Sequence, residues 1–346
     1  MDVPLRLLTL VALALFGACI SETQARTHAP APEVLQARYD AGREAEERAY
    51  ARGDRAAAAR AHRDVSWAES YDTRPGGWRG GRDVPRFAAP KIARAERALD
   101  ERVARAFEKI GRSYGAWAAF WYHDLRTGDW AGWNADAKFP AASTVKLGVI
   151  AAALRRWPRP ERSPVWYDLR QLAGWSSNLA ANRVVRKLGG ERAVQDALRR
   201  LGAHASTYPG PYRAGTSSAT DAPKPPPHRH WRVTTAHDLG RMLYALQAAA
   251  AGNRYEQRRT GLTARTAGLG LGLLVAAHPG GGHAGLIRPY VRGPVARKEG
   301  WLSDMRGTAA LIYGGGPRVV VVLTYRPGVT LAESRGLARR ALLAVG

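Results

Sequence analysis

The sequence predicts an α+β protein, and the order of its hydrophobic patterns carries that prediction. Apolar residues from Ile92 to Ile110 fall on one helical face, and a hairpin of two apolar strands follows at residues 117–134. The middle of the chain is helical in its pattern. Two further strands, at residues 308–313 and 318–325, precede a last helix at residues 331–345. Strands early and late in a domain, with helices between them, indicate an α+β fold.

The charge of the chain favours an anionic partner. Its 346 residues carry 53 Lys and Arg against 29 Asp and Glu, which gives a formal net charge of +24. Such an excess is typical of proteins that meet nucleic acid or an anionic surface. Most of the arginines are scattered among alanines, a bias that a GC-rich genome can also produce, and no nucleic-acid motif is present. We therefore predict no nucleic acid, and an anionic cell-envelope polymer could be a partner. We expect a monomer.

The first 25 residues have the pattern of an export signal. Arg6 precedes an apolar run from Leu7 to Ala18, which is too short to span a membrane. Cleavage could follow Ala25. Alternatively, the run ending at Cys19 is similar to a bacterial lipoprotein box, and this only cysteine of the chain would then carry the lipid. Both alternatives predict a periplasmic or extracellular protein, and the second adds a lipid anchor.

A change of composition separates this signal from the main domain. Residues 26–91 are rich in Ala, Arg, Glu, Pro and Gly, and residues 33–63 could form a charged helix with almost no apolar stripe. We therefore predict that residues 26–91 form a linker, partly helical or disordered, that tethers the domain. The domain itself is predicted to span residues 92–346.

The segment around Ser143 has the strongest chemical pattern of the chain. Ser143 follows a Pro-containing lead-in and precedes an apolar helix, with Lys146 three residues later on the same predicted face. A buried lysine prefers its neutral form and can take a proton from a serine hydroxyl. Taken alone, the motif is more often a helix-capping serine with a solvated lysine.

Two further motifs follow in the same domain. Ser176-Ser177-Asn178 precedes a helical segment that ends at Gly189-Gly190, where such polar residues are ordinarily only a helix cap. Lys298-Glu299-Gly300 lies in a predicted strand beside the two late strands. Between them, residues 203–233 form a long Pro- and Gly-rich loop, of the kind that is usually functional or disordered.

Together, Ser143-x-x-Lys146, Ser176-x-Asn178 and Lys298-Glu-Gly300 resemble the motif set of the class A β-lactamases and their penicillin-binding relatives. The resemblance extends over residues 92–346, and it includes the Phe-Pro-Ala-Ala-Ser lead-in and the helix start at Thr234-Thr235. It implies an α/β sandwich of the β-lactamase and transpeptidase type. In that fold an antiparallel sheet flanked by helices is built from the two chain ends and lies beside an all-helical subdomain.

The resemblance also implies a role for each motif residue and needs no cofactor or metal. The implied catalytic residues are Ser143 as nucleophile, Lys146 as general base or proton relay, and Ser176 as proton donor to the leaving nitrogen. The implied substrate-binding residues are Asn178, Lys298, Glu299, Gly300 and Trp301, with the backbone N–H groups of Ser143 and Trp301 forming the oxyanion hole. Each such donor typically lowers the barrier by about 3 kcal/mol.

Two positions of the motifs depart from the family pattern. Ser177 stands where an acid is usual, between the serine and the asparagine. Glu299 stands where a hydroxyl usually meets the substrate carboxylate. If Glu299 faces the site, it should repel anionic β-lactams. The alternative is a strand residue that points away into solvent.

A third departure concerns the loop that should supply the base for deacylation. Between residues 203 and 233 there is no glutamate, and Asp221 is the only acid. A general base typically contributes about 10² to 10⁴ in rate, so we expect slow deacylation. His228 or His230 could substitute, because histidine titrates near neutral pH, although both are typical of exposed loops.

These observations predict an exported serine hydrolase of the class A β-lactamase-like family. It would act on β-lactams through a Ser143 acyl-enzyme, and its hydrolysis of β-lactams would give antibiotic resistance. One alternative is an enzyme like the D,D-peptidases of peptidoglycan, or another amide or ester hydrolase. Another is a noncatalytic module that binds the cell envelope.

Overall fold

A computed structural model describes residues 30–72, 96–213, 232–277 and 285–346. The helices are α1 (Pro32–Ala51), α2 (Arg55–Asp72), α3 (Glu101–Arg112), α4 (Lys146–Arg156), α5 (Trp166–Trp175), α6 (Asn178–Lys187), α7 (Glu191–Arg200), α8 (Ala236–Ala250), α9 (Arg254–Thr260), α10 (Ala264–Val275) and α11 (Leu331–Ala344). The strands are β1 (Trp117–Asp124), β2 (Trp130–Trp133), β3 (Phe139–Pro140), β4 (Val233–Thr234), β5 (Val295–Trp301), β6 (Met305–Ile312) and β7 (Arg318–Tyr325).

Five of these strands form one antiparallel sheet in the order β2-β1-β7-β6-β5. The early hairpin joins the late strands because β1 pairs with β7 along its whole length, with Phe120 opposite Val322. β5, which carries Lys298, lies at one edge and keeps one side unpaired within this sheet. The predicted α+β fold, with a sheet made from both ends of the domain, is confirmed.

The two faces of the sheet have separate cores. On one face, Phe107 of α3, Phe120 of β1 and Leu337 of α11 belong to one core. On the other, Trp121 and Ala296 belong to a larger core that includes α8 and α10. Side chains alternate between faces along each strand, so successive residues of β5 belong to different cores.

A helical layer lies on the second face, with α4 at its centre. Residues 146–154 of α4 are all buried, because α5, α6, α7 and α10 pack around it. A helix that is apolar on all sides is stable only inside a domain. The burial of α4 places the segment before it, which contains Ser143, between the helical layer and the sheet.

The N-terminal hairpin, formed by α1 and α2, packs against this layer. Leu35, Tyr39, Val65 and Ala68 are at most 1% exposed and belong to the larger core. The helical part of the predicted linker is therefore present, but residues 32–72 are docked on the domain and do not form a free tether. The prediction missed this because the buried face of α1 has few apolar residues. Charged residues such as Arg43 fill the rest of that face, and their burial is not visible in the sequence pattern.

Several predictions fall outside the described residues. They are the export signal at residues 1–25 with Cys19, the linker residues 73–91, and Asp221, His228 and His230 of the long loop. Within the part of the chain that the structure describes, no helix has both the length and the apolar character to cross a membrane.

Candidate active site

Ser143 lies in a tight turn immediately before α4, whose first helical residue is Lys146. The turn is held by the Thr144 hydroxyl, which donates to the carbonyl of Ala141 over 2.6 Å, and by the Lys146 N–H, which donates to the Ser143 carbonyl over 3.2 Å. Ala142 has a φ of +45°. A non-glycine residue in this region is strained by about 1–3 kcal/mol and is typical of functional turns.

Lys146 is completely buried and faces the Ser176–Asn178 turn. Its Nζ donates to the Ser176 carbonyl and, over 2.7 Å, to Asn178 Oδ1, and it lies 3.4 Å from Ser176 Oγ. Burial first, and then the charge of Lys298, lower the pKa of Lys146 well below its ordinary value. This shift favours the neutral amine, which is the form that can accept a proton.

Ser176 joins the two lysines of the site. It ends α5 in the left-handed conformation, with a φ of +62°. Its Oγ accepts a hydrogen bond of 2.8 Å from Lys298 Nζ on β5. Three motifs that are far apart in the sequence therefore meet at one hydroxyl group.

Lys298 is 1% exposed and points from β5 into the helical layer. Its Nζ also donates to the carbonyl of Glu299 over 3.0 Å. Burial lowers the pKa of Lys298 to about 8, although the Glu299 carboxylate opposes this shift. Lys298 therefore stays largely protonated at neutral pH, and its charge is one of the causes that lower the pKa of Lys146.

Gly300 allows β5 to pass directly beside the nucleophile. A Cβ atom at this position would lie 2.9 Å from Thr144 Cγ2, 3.0 Å from the carbonyl oxygen of Ala141 and 3.1 Å from the backbone nitrogen of Ser143. Two of these three atoms belong to the backbone and cannot move independently. Trp301 follows at the end of β5, so its backbone lies next to this contact, and its ring stacks near Arg306 at 5.8 Å.

Glu299 lies on the face of β5 opposite Lys298. Its Oε1 accepts a 2.6 Å hydrogen bond from Nε of Arg297, which is 3% exposed and belongs to the same face. The interpretation that Glu299 faces the substrate beside Lys298 is corrected here, because alternation along the strand separates the two side chains. The alternative, a strand residue that points away from the site, agrees better with the structure. Glu299 is held in an ion pair with Arg297, however, and is not free in solvent.

Tyr212 and Arg232 were missed by the sequence analysis. The Tyr212 ring lies 4.4 Å from Lys146 Nζ, and its hydroxyl donates to the strained Ala142 carbonyl over 3.1 Å. Arg232 stacks on that ring at 3.9 Å and its backbone carbonyl accepts from the Ala141 N–H. No local pattern could reveal these contacts, since both residues lie at the ends of the long loop.

Asp72 was also missed, because it lies 105 positions before Ser177, with which it is in contact. It is the last residue of α2, and its carboxylate accepts hydrogen bonds from Ser177 and from the first N–H groups of α6. Among the residues that the structure describes, no group of three His, Cys, Asp or Glu side chains is arranged to hold a metal ion.

The fold and the serine–lysine site closed by a strand lysine define a serine hydrolase of the β-lactamase and penicillin-binding type. The sequence model of the β-lactamase enzyme family matches residues 101–159 and 158–344, and the chain belongs to that family. No curated protein matches the sequence significantly.

Solved structures with the same fold match this chain over nearly the whole of their own length. PBP-A shares 16% identity at a TM-score of 0.57, over 74% of this chain and 99% of its own. A PBP-A variant solved as an acyl-enzyme complex with penicillin G shares 17% sequence identity with this chain at a TM-score of 0.56. The match covers 73% of this chain and 99% of that variant. A β-lactamase from Sphaerobacter thermophilus shares 19% sequence identity at a TM-score of 0.55. The match covers 71% of this chain and 95% of that β-lactamase. At these identities the likeness concerns the fold.

Proposed function

We propose that the protein hydrolyses β-lactams through an acyl-enzyme on Ser143, and that the acyl-enzyme is slow to deacylate. The single observation that supports this best is the junction at Ser176, whose hydroxyl accepts from Lys298 Nζ and lies 3.4 Å from Lys146 Nζ. Lys146 and Ser176 can pass one proton from the nucleophile to a leaving group within a closed site.

In the acylation step, Ser143 Oγ gives its proton to neutral Lys146 and attacks the carbonyl carbon of the substrate. A neutral lysine has two N–H bonds, enough for the Ser176 carbonyl and Asn178 Oδ1, and one lone pair free for this proton. The oxyanion forms beside the backbone N–H groups of Ser143 and Trp301. These groups are fixed in place before the reaction begins, which is the source of their effect.

Collapse of the oxyanion breaks the carbon–nitrogen bond. Ser176 gives its hydroxyl proton to the leaving nitrogen and recovers a proton from Lys146, so both residues return to their starting states. Lys298 holds Ser176 and supplies positive charge toward an anionic substrate. Asn178 is the residue that we expect to bind the substrate amide, in place of the contact that its Nδ2 now makes with the Arg213 carbonyl over 2.8 Å.

Deacylation needs a base for water, and residues 203–213 offer no carboxylate. Tyr212 occupies the position against Lys146, and burial raises its pKa to about 12, so it stays neutral and is a poor base. This supports an acyl-enzyme that persists. A PBP-A variant of the same fold has been solved as an acyl-enzyme complex with penicillin G.

The test is intact-mass spectrometry of the purified protein incubated with a penicillin. We expect one adduct per molecule that forms readily and decays slowly, and no adduct in Ser143→Ala. Turnover of a chromogenic cephalosporin should show a burst followed by a slow steady rate. An adduct that survives in Ser143→Ala would reject the nucleophile, and fast turnover without an adduct would reject slow deacylation.

Export and a role in antibiotic resistance belong to the same proposal. They rest on the pattern of residues 1–25 and on the family. Fractionation of cells expressing the full chain, with Cys19→Ala as the matched variant, separates a soluble secreted protein from a lipid-anchored one.

A further inference from the structure

Asp72 brings a carboxylate from the N-terminal hairpin to the Ser176–Asn178 turn. Its Oδ2 accepts from Ser177 Oγ over 2.7 Å, from the Asn178 N–H over 2.8 Å and from the Leu179 N–H over 3.2 Å. Asp72 is separated from these residues by more than a hundred positions in the sequence. The carboxylate thus completes a turn to which it is not locally connected.

These hydrogen bonds close the start of α6. The first N–H groups of any helix lack partners inside the helix and carry partial positive charge, which favours an anion there. Asp72 satisfies the first two, and Ser177 Oγ accepts from the third, that of Ala180, over 3.1 Å. Asn178, the first residue of α6, is therefore fixed in the orientation that presents its Oδ1 to Lys146.

The hairpin holds Asp72 in place through contacts on both of its helices. Gln36 of α1 donates to the Leu179 carbonyl over 3.2 Å and accepts from Asn182 over 2.9 Å. On α2, Glu69 accepts from the Tyr167 hydroxyl of α5 over 3.0 Å. The carboxylate is consequently a built part of the molecule rather than an exposed side chain at a helix end.

We propose that Asp72 is a positioning residue for catalysis, which makes the N-terminal hairpin part of the active site. It acts through the Ser176–Asn178 turn and touches neither substrate nor nucleophile. The position between Ser176 and Asn178 holds Ser177, which has a hydroxyl but no charge, and Asp72 supplies the charge instead. This inference rests on the proposed function, whose acylation step it deepens.

The carboxylate also has an electrostatic effect on the base. The groups that act on Lys146 are Lys298 of β5, Asp72 of α2 and Arg232 beside the neutral Tyr212 ring. Asp72 is the anion among them, and it favours the charged lysine. Removal of Asp72 should lower the pKa of Lys146 further. The rise of the acylation rate with pH, which follows the loss of the Lys146 proton and is called the acid limb here, should then occur at lower pH.

The experiment compares Asp72→Asn, Ser177→Asp and the double variant with the wild type, using the acylation rate constant for a penicillin. Asn keeps the size of Asp72 but cannot accept all three hydrogen bonds as an anion, so acylation should fall about tenfold or more. Ser177→Asp alone should also be slow, because it places two carboxylates side by side. The double variant restores one carboxylate at the turn and should recover most of the rate.

Asp64→Asn is the matched control, since Asp64 lies on α2 in an exposed ion pair with Arg38 and should leave acylation unchanged. If the wild type forms no adduct, the proposed function fails before this inference is reached. If the wild type is acylated and Asp72→Asn matches it, the inference is wrong. A slow Asp72→Asn with an unmoved acid limb and no rescue in the double variant would reduce Asp72 to a structural cap and also overturn it.

Discussion

At the scale of single residues, the site depends on what is missing as much as on what is present. Gly300 has no Cβ, and the backbone of β5 uses that space to approach Ala141 and Ser143. A local sequence pattern predicts that Gly300 is in a strand but cannot say which backbone lies across from it. The same limit applies to Glu299. The strand pattern predicts which face its side chain lies on, but only the structure shows that Arg297 is its partner in an ion pair.

Gly300→Ala should lower the acylation rate constant for a penicillin. The new Cβ would be 3.0 Å from the Ala141 oxygen and 3.1 Å from the Ser143 nitrogen, so β5 must move outward and take the Trp301 N–H with it. Misplacement of a donor by a few tenths of an ångström to 1 Å costs about tenfold to a hundredfold. The measurement is the rate of adduct formation by mass spectrometry.

Gly336→Ala is the control for that substitution. Gly336 lies in α11, where an added methyl group would meet no atom within 4 Å, so alanine there should leave acylation unchanged and slightly favour the helix. Equal acylation rates in the two variants would mean that β5 does not need its close approach to Ser143.

At the scale of elements, regular periodicity made most of the fold predictable. The strands at residues 117–124 and 318–325 and the helix at 331–344 lie close to their predicted ranges, because apolar alternation and spacing encode them locally. The docked hairpin was not predictable in the same way. Its interface combines a few apolar residues with buried ionic contacts, and the partners in such contacts are set by three-dimensional packing rather than by spacing.

Asp168→Asn tests how much the ionic network between the hairpin and the domain contributes to the stability of the fold. Asp168 is completely buried and accepts from the Tyr39 hydroxyl over 2.7 Å and from Arg183 Nη1 over 2.8 Å. Arg183 is itself 2% exposed and also pairs with Glu47 of α1. Loss of the carboxylate leaves a buried cation short of a partner, which typically costs about 3–5 kcal/mol.

The measurement is the free energy of unfolding in urea, with Asp64→Asn as the exposed control. Surface pairs of that kind contribute about 0–1 kcal/mol, so the control should remain near the wild type. A loss in Asp168→Asn no greater than that of Asp64→Asn would show that the network between α1, α5 and α6 contributes little to the fold.

At the scale of the whole molecule, the site exists only where two layers close on each other. Lys146 belongs to the helical layer and Lys298 to the sheet edge, and they share the Ser176 hydroxyl. Two buried lysines in a chain of net charge +24 are unfavourable unless one is neutral. The three motifs could be recognised in the sequence, whereas this division of charge follows from the packing of the layers.

Acylation should therefore have a bell-shaped pH profile. Lys146 must lose its proton to act as base, and the pKa of Lys146 is lowered by burial and by Lys298, so activity rises with pH on the acid side. Lys298 must keep its proton to supply positive charge. Burial lowers the pKa of Lys298 to about 8, so activity should fall as pH rises through that value.

Lys298→Arg identifies the group responsible for the alkaline limb. Arginine stays charged at every accessible pH, so the variant should lose the fall near pH 8 even if its rate at the optimum is lower, since the guanidinium has a different shape. The acid limb, which belongs to Lys146, should remain. Acylation rate constants for a penicillin between about pH 5 and 10 provide the measurement, since they span both expected limbs. An alkaline limb that persists unchanged in Lys298→Arg would assign it to another group and would mean that the charge of Lys298 is not what limits acylation at high pH.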